Sequence, residues 1–203
     1  MPGSMMQPDM GAVVTGEGVR ADALARWQQG GWPGPRVEAW RYTRIESLAE
    51  RDFIPATGLT GAASGPGAVA AAGISAHIIR FENGILDPSG LAGLPAGLTV
   101  GDLATDEQAL ARLQALAPNG HPVSDLSLAA MTGGIVIDVS GVVTSPMMLL
   151  FEGGEAGASA HPAILIRLAA SAHLQLAEWH QSDVGLAAPL IGVDIGAGAR
   201  FEQ

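Results

Sequence analysis

The feature that most constrains this chain is a series of short apolar segments filling its last third, from Gly134 to Gln203. Ile135-Val136-Ile137-Asp138-Val139, Met147-Met148-Leu149-Leu150-Phe151, Ile164-Leu165-Ile166-Arg167-Leu168, His173-Leu174-Gln175-Leu176 and Leu190-Ile191-Gly192-Val193-Asp194-Ile195 are each four to six residues long. They are β-branched or Leu-rich and closed by Gly, Pro, Ser or Ala, a pattern that predicts strands rather than helices. Two of the units also repeat. A shift of 27 places lays Ile164 on Ile191, Ile166 on Val193, Leu168 on Ile195, Ala172 on Ala199 and Leu174 on Phe201. The small-residue turns Ala169-Ala170-Ser171-Ala172 and Gly196-Ala197-Gly198-Ala199 then coincide. A repeat of this size predicts stacked coils, each burying what its neighbour leaves exposed.

The repeat makes a second, sharper prediction. Under the 27-place shift Arg167 falls on Asp194, and a shift of 29 places Asp138 on Arg167. Asp138, Arg167 and Asp194 would then occupy one column on the outside of successive turns, an alternating-charge ladder that fixes register more than it adds stability. A rival use of the carboxylates is acid/base cleavage of a glycan, as in β-helix lyases and hydrolases. That chemistry needs two carboxyl groups about 5–10 Å apart in a groove, and an arginine standing between them suits it poorly.

Composition narrows the function. With 48% hydrophobic and 15% charged residues, wholesale disorder is not expected, and 203 residues suffice for one large domain or two small ones. A net charge of −10 with no basic cluster disfavours a nucleic-acid partner. Cysteine is absent, which removes disulfides, thiolate nucleophiles and thiolate metal ligands. The long uncharged stretch Leu59–Ser75 is built of Ala and Gly, too weakly apolar to span a bilayer, and no basic segment precedes it. No membrane partner is expected, and a soluble cytoplasmic location is.

Residues 1–18 read as a tag or disordered N-terminus, with Met1-Pro2-Gly3-Ser4-Met5 as a cloning remnant. A helical region follows at 19–58. Val19, Ala23, Leu24 and Trp27 recur at helical spacing before Gly30-Gly31, and Trp32-Pro33-Gly34-Pro35 forms a rigid connector. Thr43 and Glu46 have capping-box spacing for a short helix through Leu48. In Arg36-Val37-Glu38-Ala39-Trp40-Arg41-Tyr42-Thr43, charges alternate with aromatics; a clasp is expected, Trp40 and Tyr42 pinning the turn and Arg36 or Arg41 pairing Glu38. Residues 59–73 are a Gly/Ala-rich linker. Residues 74–132 mix strand and helix: a hairpin around Asn83-Gly84, a helix over Asp102–Leu116 with Leu103, Leu110, Leu113 and Leu116 on one face and Pro118-Asn119-Gly120 as its stop, and a helix over Ser124–Met131 with Ser124 as N-cap. Residues 133–203 carry the strand stack.

Several of these segments, taken in order, carry a family likeness. Arg36-x-Glu38-x-Trp40-Arg41-Tyr42-Thr43 after a Pro-containing turn, Phe81-Glu82-Asn83-Gly84-x-Leu86-Asp87, Leu94-Pro95-x-Gly97-Leu98-Thr99-Val100, Val143-x-x-Pro146-x-x-Leu149-Leu150, His161-Pro162 and Leu176-x-Glu178-x-His180 together resemble the SufB/SufD family of iron–sulfur cluster assembly proteins. The likeness runs from about Trp32 to the last residue and is weakest between Leu59 and Gly73. It implies an α+β chain, an N-terminal helical region followed by the first coils of a right-handed parallel β-helix. It also implies a non-catalytic scaffold acting with SufB and the ATPase SufC, the iron–sulfur cluster being cargo of the whole complex. The lack of cysteine favours the SufD side. Family chains are about twice as long, so this one is expected to be an N-terminal fragment, with partner-binding regions largely beyond residue 203 and an open strand edge available for self-association. The alternatives are a β-helix polysaccharide lyase or hydrolase and a structural β-solenoid.

No catalytic, cofactor-binding or metal-ligating residue is assigned. No glycine pattern forms a phosphate loop. His173 and His180, seven residues apart, would lie on opposite faces of one strand. His161 precedes Pro162 and is expected to satisfy backbone groups, and Glu178-Trp179-His180 to cap a coil edge.

Overall fold

The structure is a computed structural model that describes residues 17–34, 37–43, 45–56, 58, 73, 75–117, 121–153, 156–182 and 185–203. The fold is α+β, and the strands fall into three sheets. Helix α1 spans Val19–Gly30 and α2 Glu46–Ala49, with a 3-10 turn at Glu38–Trp40 before it. Strand β1 (Ile54–Pro55) precedes β2 (His77–Glu82) and β3 (Ile85–Leu86). After β4 (Leu98–Asp102) come α3 (Glu107–Leu116) and α4 (Pro122–Ala129). The remainder is strand: β5 Gly133–Val139, β6 Met147–Gly153, β7 Ala158–Ala160, β8 Pro162–Leu168, β9 His173–Ser182, β10 Leu186–Ala187, β11 Leu190–Ile195 and β12 Arg200–Glu202.

From β5 onward the chain visits the sheets in rotation. Strands β5, β8 and β11 are parallel neighbours in one sheet, β6, β9 and β12 in another, and β7 and β10 in a third. The predicted register is present: Ile164 pairs with Ile191, Ile166 with Val193 and Leu168 with Ile195, while Leu174 pairs with Phe201. Two strands run against the rest, β4 antiparallel to β5 and β3 antiparallel to β2. The β2/β3 turn is the predicted Asn83-Gly84, and both residues take positive φ, 51° and 80°; that combination matches the twist of a two-residue hairpin.

Alternation divides each strand between two environments. Ile135, Ile137, Val139, Ile164, Ile166 and Leu168 of one sheet point inward, in one core cluster with Ile79, Phe81, Met147, Leu149, Phe151, Leu174 and Leu176 of another. Full burial of each such side chain contributes about 1.5–3 kcal/mol, so the columns of like residues hold the stack. The outward face of β5 and β8 is covered over part of its length. Val136, Ala163 and Leu165 pack under Ala23 of α1, Leu110 and Leu113 of α3, and Leu128 of α4. Gly192, next in that outward row, lies where α3 comes closest; a Cβ there would sit 2.6 Å from Leu113 Cδ1. Trp27, four residues after Ala23, completes the buried face of α1 with Leu126 and Ala130, and meets Trp32 edge-on at 5.0 Å.

Three helix starts differ from the sequence reading. Asp102 closes β4 and its side chain accepts from Ala104 N–H at 2.8 Å, capping a 3-10 turn at Leu103–Thr105. Asp106 then caps α3, accepting from Ala109 N–H at 2.9 Å, so a 3-10 turn and a separate helix stand where one helix was expected. Helix α4 begins with Pro122, and His121 rather than Ser124 is its N-cap: His121 Nδ1 accepts from Ser124 N–H at 3.3 Å. The N-cap of α2 is Ile45, with no side-chain cap, rather than the expected Thr43. Residues 1–16 of the expected N-terminal leader, 59–72 of the expected linker and the Pro118-Asn119-Gly120 stop lie outside the described residues.

Candidate functional site

Two columns of side chains cross the stack, one on the outer surface and one running from the core out to the surface. The outer column is the predicted one: Asp138, Arg167 and Asp194 occupy successive register positions on β5, β8 and β11. Arg167 donates to both carboxylate oxygens of Asp138, at 2.6 and 2.7 Å, and that bidentate bond raises the arginine pKa although burial opposes it. The third member departs from a simple ladder. Asp194 receives both of its bonds, at 2.7 and 2.7 Å, from Arg112 on α3. The hydrogen bond from Arg112 is the main reason the Asp194 carboxyl is held below the usual carboxylate range. The column therefore also ties a helix to β11, a contact the sequence repeat does not contain.

The second column is aromatic, buried at Phe81 and Phe151 and exposed at His180. Phe81, Phe151 and His180 are register neighbours on β2, β6 and β9. Their rings stack, with centroids 5.5 Å apart for the phenylalanines and 4.8 Å for Phe151 and His180. His180 Nε2 lies 3.0 Å from Glu178 Oε2, and the Gln203 amide donates to Glu178 Oε1. Glu178 and His180 lie on β9 beyond the stretch that pairs with β12, His173 to Gln175. A pocket opens beside them, lined by Asn83, Phe151, Glu152, His180, Leu186 and Pro189 among others. Its free space of about 30 Å³ is far below the ~300 Å³ at which small-molecule sites begin.

A third cluster was not anticipated. Arg80 reaches Asp87 at 3.2 Å, Glu82 at 3.4 Å and also Glu152, bringing β2, β6 and the turn after β3 together. Burial works to lower the Arg80 pKa, but the hydrogen bond and charge of Glu152, with Glu82 and Asp87, outweigh it and raise it. Glu82 and Glu152 are buried, and buried carboxylates persist where a guanidinium meets them. The only sequence signal was their common position in register, 70 residues apart, and no repeat connects those two strands.

The aromatic segment near residue 40 divides. Trp40 does pin the turn, packing on His121 with ring centroids 5.0 Å apart. Tyr42 does not: it is 87% exposed, and Arg41 lies 5.6 Å over its ring rather than on Glu38. Arg36 is outside the described residues. His173 and His180 lie in one strand as expected; His173 is beside Glu202 at 3.5 Å, away from the aromatic column. His161 is buried, and it is its backbone that bonds: its N–H donates to Thr132 Oγ1 at 3.0 Å and its carbonyl accepts from Thr132 N–H at 3.1 Å. Its Nδ1 has no partner among the described residues.

Among the described residues no three His, Asp or Glu side chains are grouped to hold a metal ion, and no helix is long and apolar enough to cross a membrane. What the fold and these clusters define is an α+β protein whose parallel strands recur sheet by sheet and whose polar groups serve to lock layers together. The sequence matches no family model, and no curated protein matches it.

Proposed function

We propose that this chain is a SufD-like scaffold component of iron–sulfur cluster assembly, acting in the cytoplasm with SufB and SufC homologues. In this reading the rotating strands are coils of a right-handed parallel β-helix and the N-terminal helices form a side layer. The observation that carries it is the advance of all three sheets by one parallel strand every 27 or 29 residues, on a chain that also bears the ordered motifs from Arg36 to His180. A regular stack of this kind supports a passive role, because each coil contacts only its neighbours and offers a long, even surface to partners. The polar clusters fit the same role. The cluster would be cargo of the assembled complex, and no residue of this chain is assigned to it.

The glycan-cleaving alternative is less well supported. Asp138 and Asp194, the carboxylates closest to its requirements, are each engaged by an arginine in two hydrogen bonds, and a general acid or base needs a carboxyl group free to exchange its proton. The test is co-purification of the full-length protein with SufB and SufC homologues from the same source. Recovery of a stable complex of the three is the expected result; a protein that captures neither would overturn the proposal.

A further inference from the structure

The 3-10 turn Glu38–Trp40 is anchored at its base. Val37 N–H donates to the Gly34 carbonyl at 3.0 Å, Trp40 N–H to Val37 at 2.9 Å, Arg41 N–H to Glu38 at 3.3 Å and Thr43 N–H to Trp40 at 3.0 Å. The Trp40 ring packs on His121, the residue that caps α4. The two residues after the turn project from this base. Tyr42, the single tyrosine of the chain, is 87% exposed. Arg41 is exposed too, its guanidinium carbon 5.6 Å from the centre of the Tyr42 ring. Val37, at the start of the same turn, is 46% exposed.

Arg41 is placed differently from most arginines of the chain. Arg80, Arg112 and Arg167 each hold a carboxylate of another element, and Arg20 donates to two carbonyls. Among the described residues the Arg41 side chain meets the tyrosine ring and no acceptor. A ring contact consumes none of the N–H donors that a guanidinium offers to a carboxylate. The chain holds 20 acidic and 10 basic side chains, yet none of its described carboxylates takes up this cation. The surrounding charge has the opposite sign to the whole: residues 36–44 carry three arginines against one glutamate, in a chain of net charge −10. That is too little positive charge to hold a polyphosphate strand against the repulsion of the rest of the molecule, but it suits a single acidic side chain. Tyrosine and arginine are also the residue types that carry most of the binding energy at protein interfaces.

We propose that Arg41 and Tyr42 form a docking point for an acidic segment of a partner protein, Arg41 taking a carboxylate in two hydrogen bonds and Tyr42 covering the apolar part of a neighbouring side chain. This contact does not depend on the function proposed above. The single tyrosine gives a direct readout: fluorotyrosine incorporated into the full chain yields one fluorine resonance, at Tyr42. The probe is a hexapeptide of alternating glutamate and leucine, titrated at low salt. A saturable shift of the resonance is expected, with a Kd that rises as salt is added. The same peptide with glutamine in place of glutamate should bind at least about tenfold more weakly. Arg41→Gln, a change at an exposed side chain, should raise the Kd for the acidic peptide at least about fivefold. No saturable shift, equal affinity for the glutamine peptide, a Kd unmoved by Arg41→Gln, or tighter binding of hexathymidylate than of the acidic peptide would each overturn the proposal.

Discussion

His161 offers the most quantitative test of the packing. The residue is 1% exposed and its Nδ1 has no partner among the described residues. Burial pushes its pKa from 6.5 down to about 4. In the unfolded chain the ring is hydrated and takes up its proton near pH 6.5. As pH falls through the window from 6.5 to about 4, the unfolded state therefore binds more protons than the folded one, and stability falls with pH. Above 6.5 and below about 4 this group contributes no slope. At about 1.4 kcal/mol per pH unit, the full loss across the window is about 3 kcal/mol, of which about 2 kcal/mol falls between pH 7 and 5. The assay is urea unfolding of the wild type and of His161→Phe at both pH values. The carboxylates are common to the two proteins, so their titration cancels in the comparison. The wild type should lose about 2 kcal/mol more than the variant. Equal pH dependence in the two, or an imidazole resonance of the folded protein titrating near 6.5, would refute the account of His161 as a desolvated ring.

Two further substitutions probe the hairpin and the outer column. Gly84 has φ 80°, and a Cβ there would collide with Thr132 Oγ1 and lie 3.0 Å from the His161 nitrogen; Gly84→Ala should cost at least about 2 kcal/mol in equilibrium unfolding, from strain and clash together. A double-mutant cycle on Asp138→Asn and Arg167→Gln should return a coupling of less than about 1 kcal/mol that shrinks in high salt, since both side chains are more than 40% exposed; a larger, salt-insensitive coupling would contradict the reading of the pair as a register device.

What could be read in the sequence followed from where the information is local or repeated. Ile164 and Ile191, or Leu174 and Phe201, are neighbours in the ladders because the same inward pattern recurs at a fixed offset, and the offset is visible without coordinates. The outer Asp138–Arg167–Asp194 column came from the same arithmetic. Strands such as Ala158–Ala160 and Leu186–Ala187 gave no signal: they are only two or three residues long, too short to show a period. Helix starts failed for a different reason. Asp102 caps a 3-10 turn and Asp106 a helix, and Leu103, Leu110 and Leu113 are buried in the same cluster, so the apolar spacing alone could not show a break between them. Arg80 joining Glu152, and Arg112 joining Asp194, depend on contacts between elements that no period relates. Such contacts are invisible to pattern reading, and here they are the ones that fasten the hairpin and the helical layer to the stack.

The ladder spacing shifts between β6 and β7. Gly153 pairs with Ser182, 29 residues on, whereas Ser159 pairs with Leu186, 27 on. The first circuit therefore spends two more residues than the second in passing from β6 to β7, and every inward side chain before and after that corner keeps its partner. Chain length at this bend is thus uncoupled from the alignment of the layers. It is the natural place to graft a foreign peptide, and a search for further members that insists on one fixed period would pass over chains built in the same way.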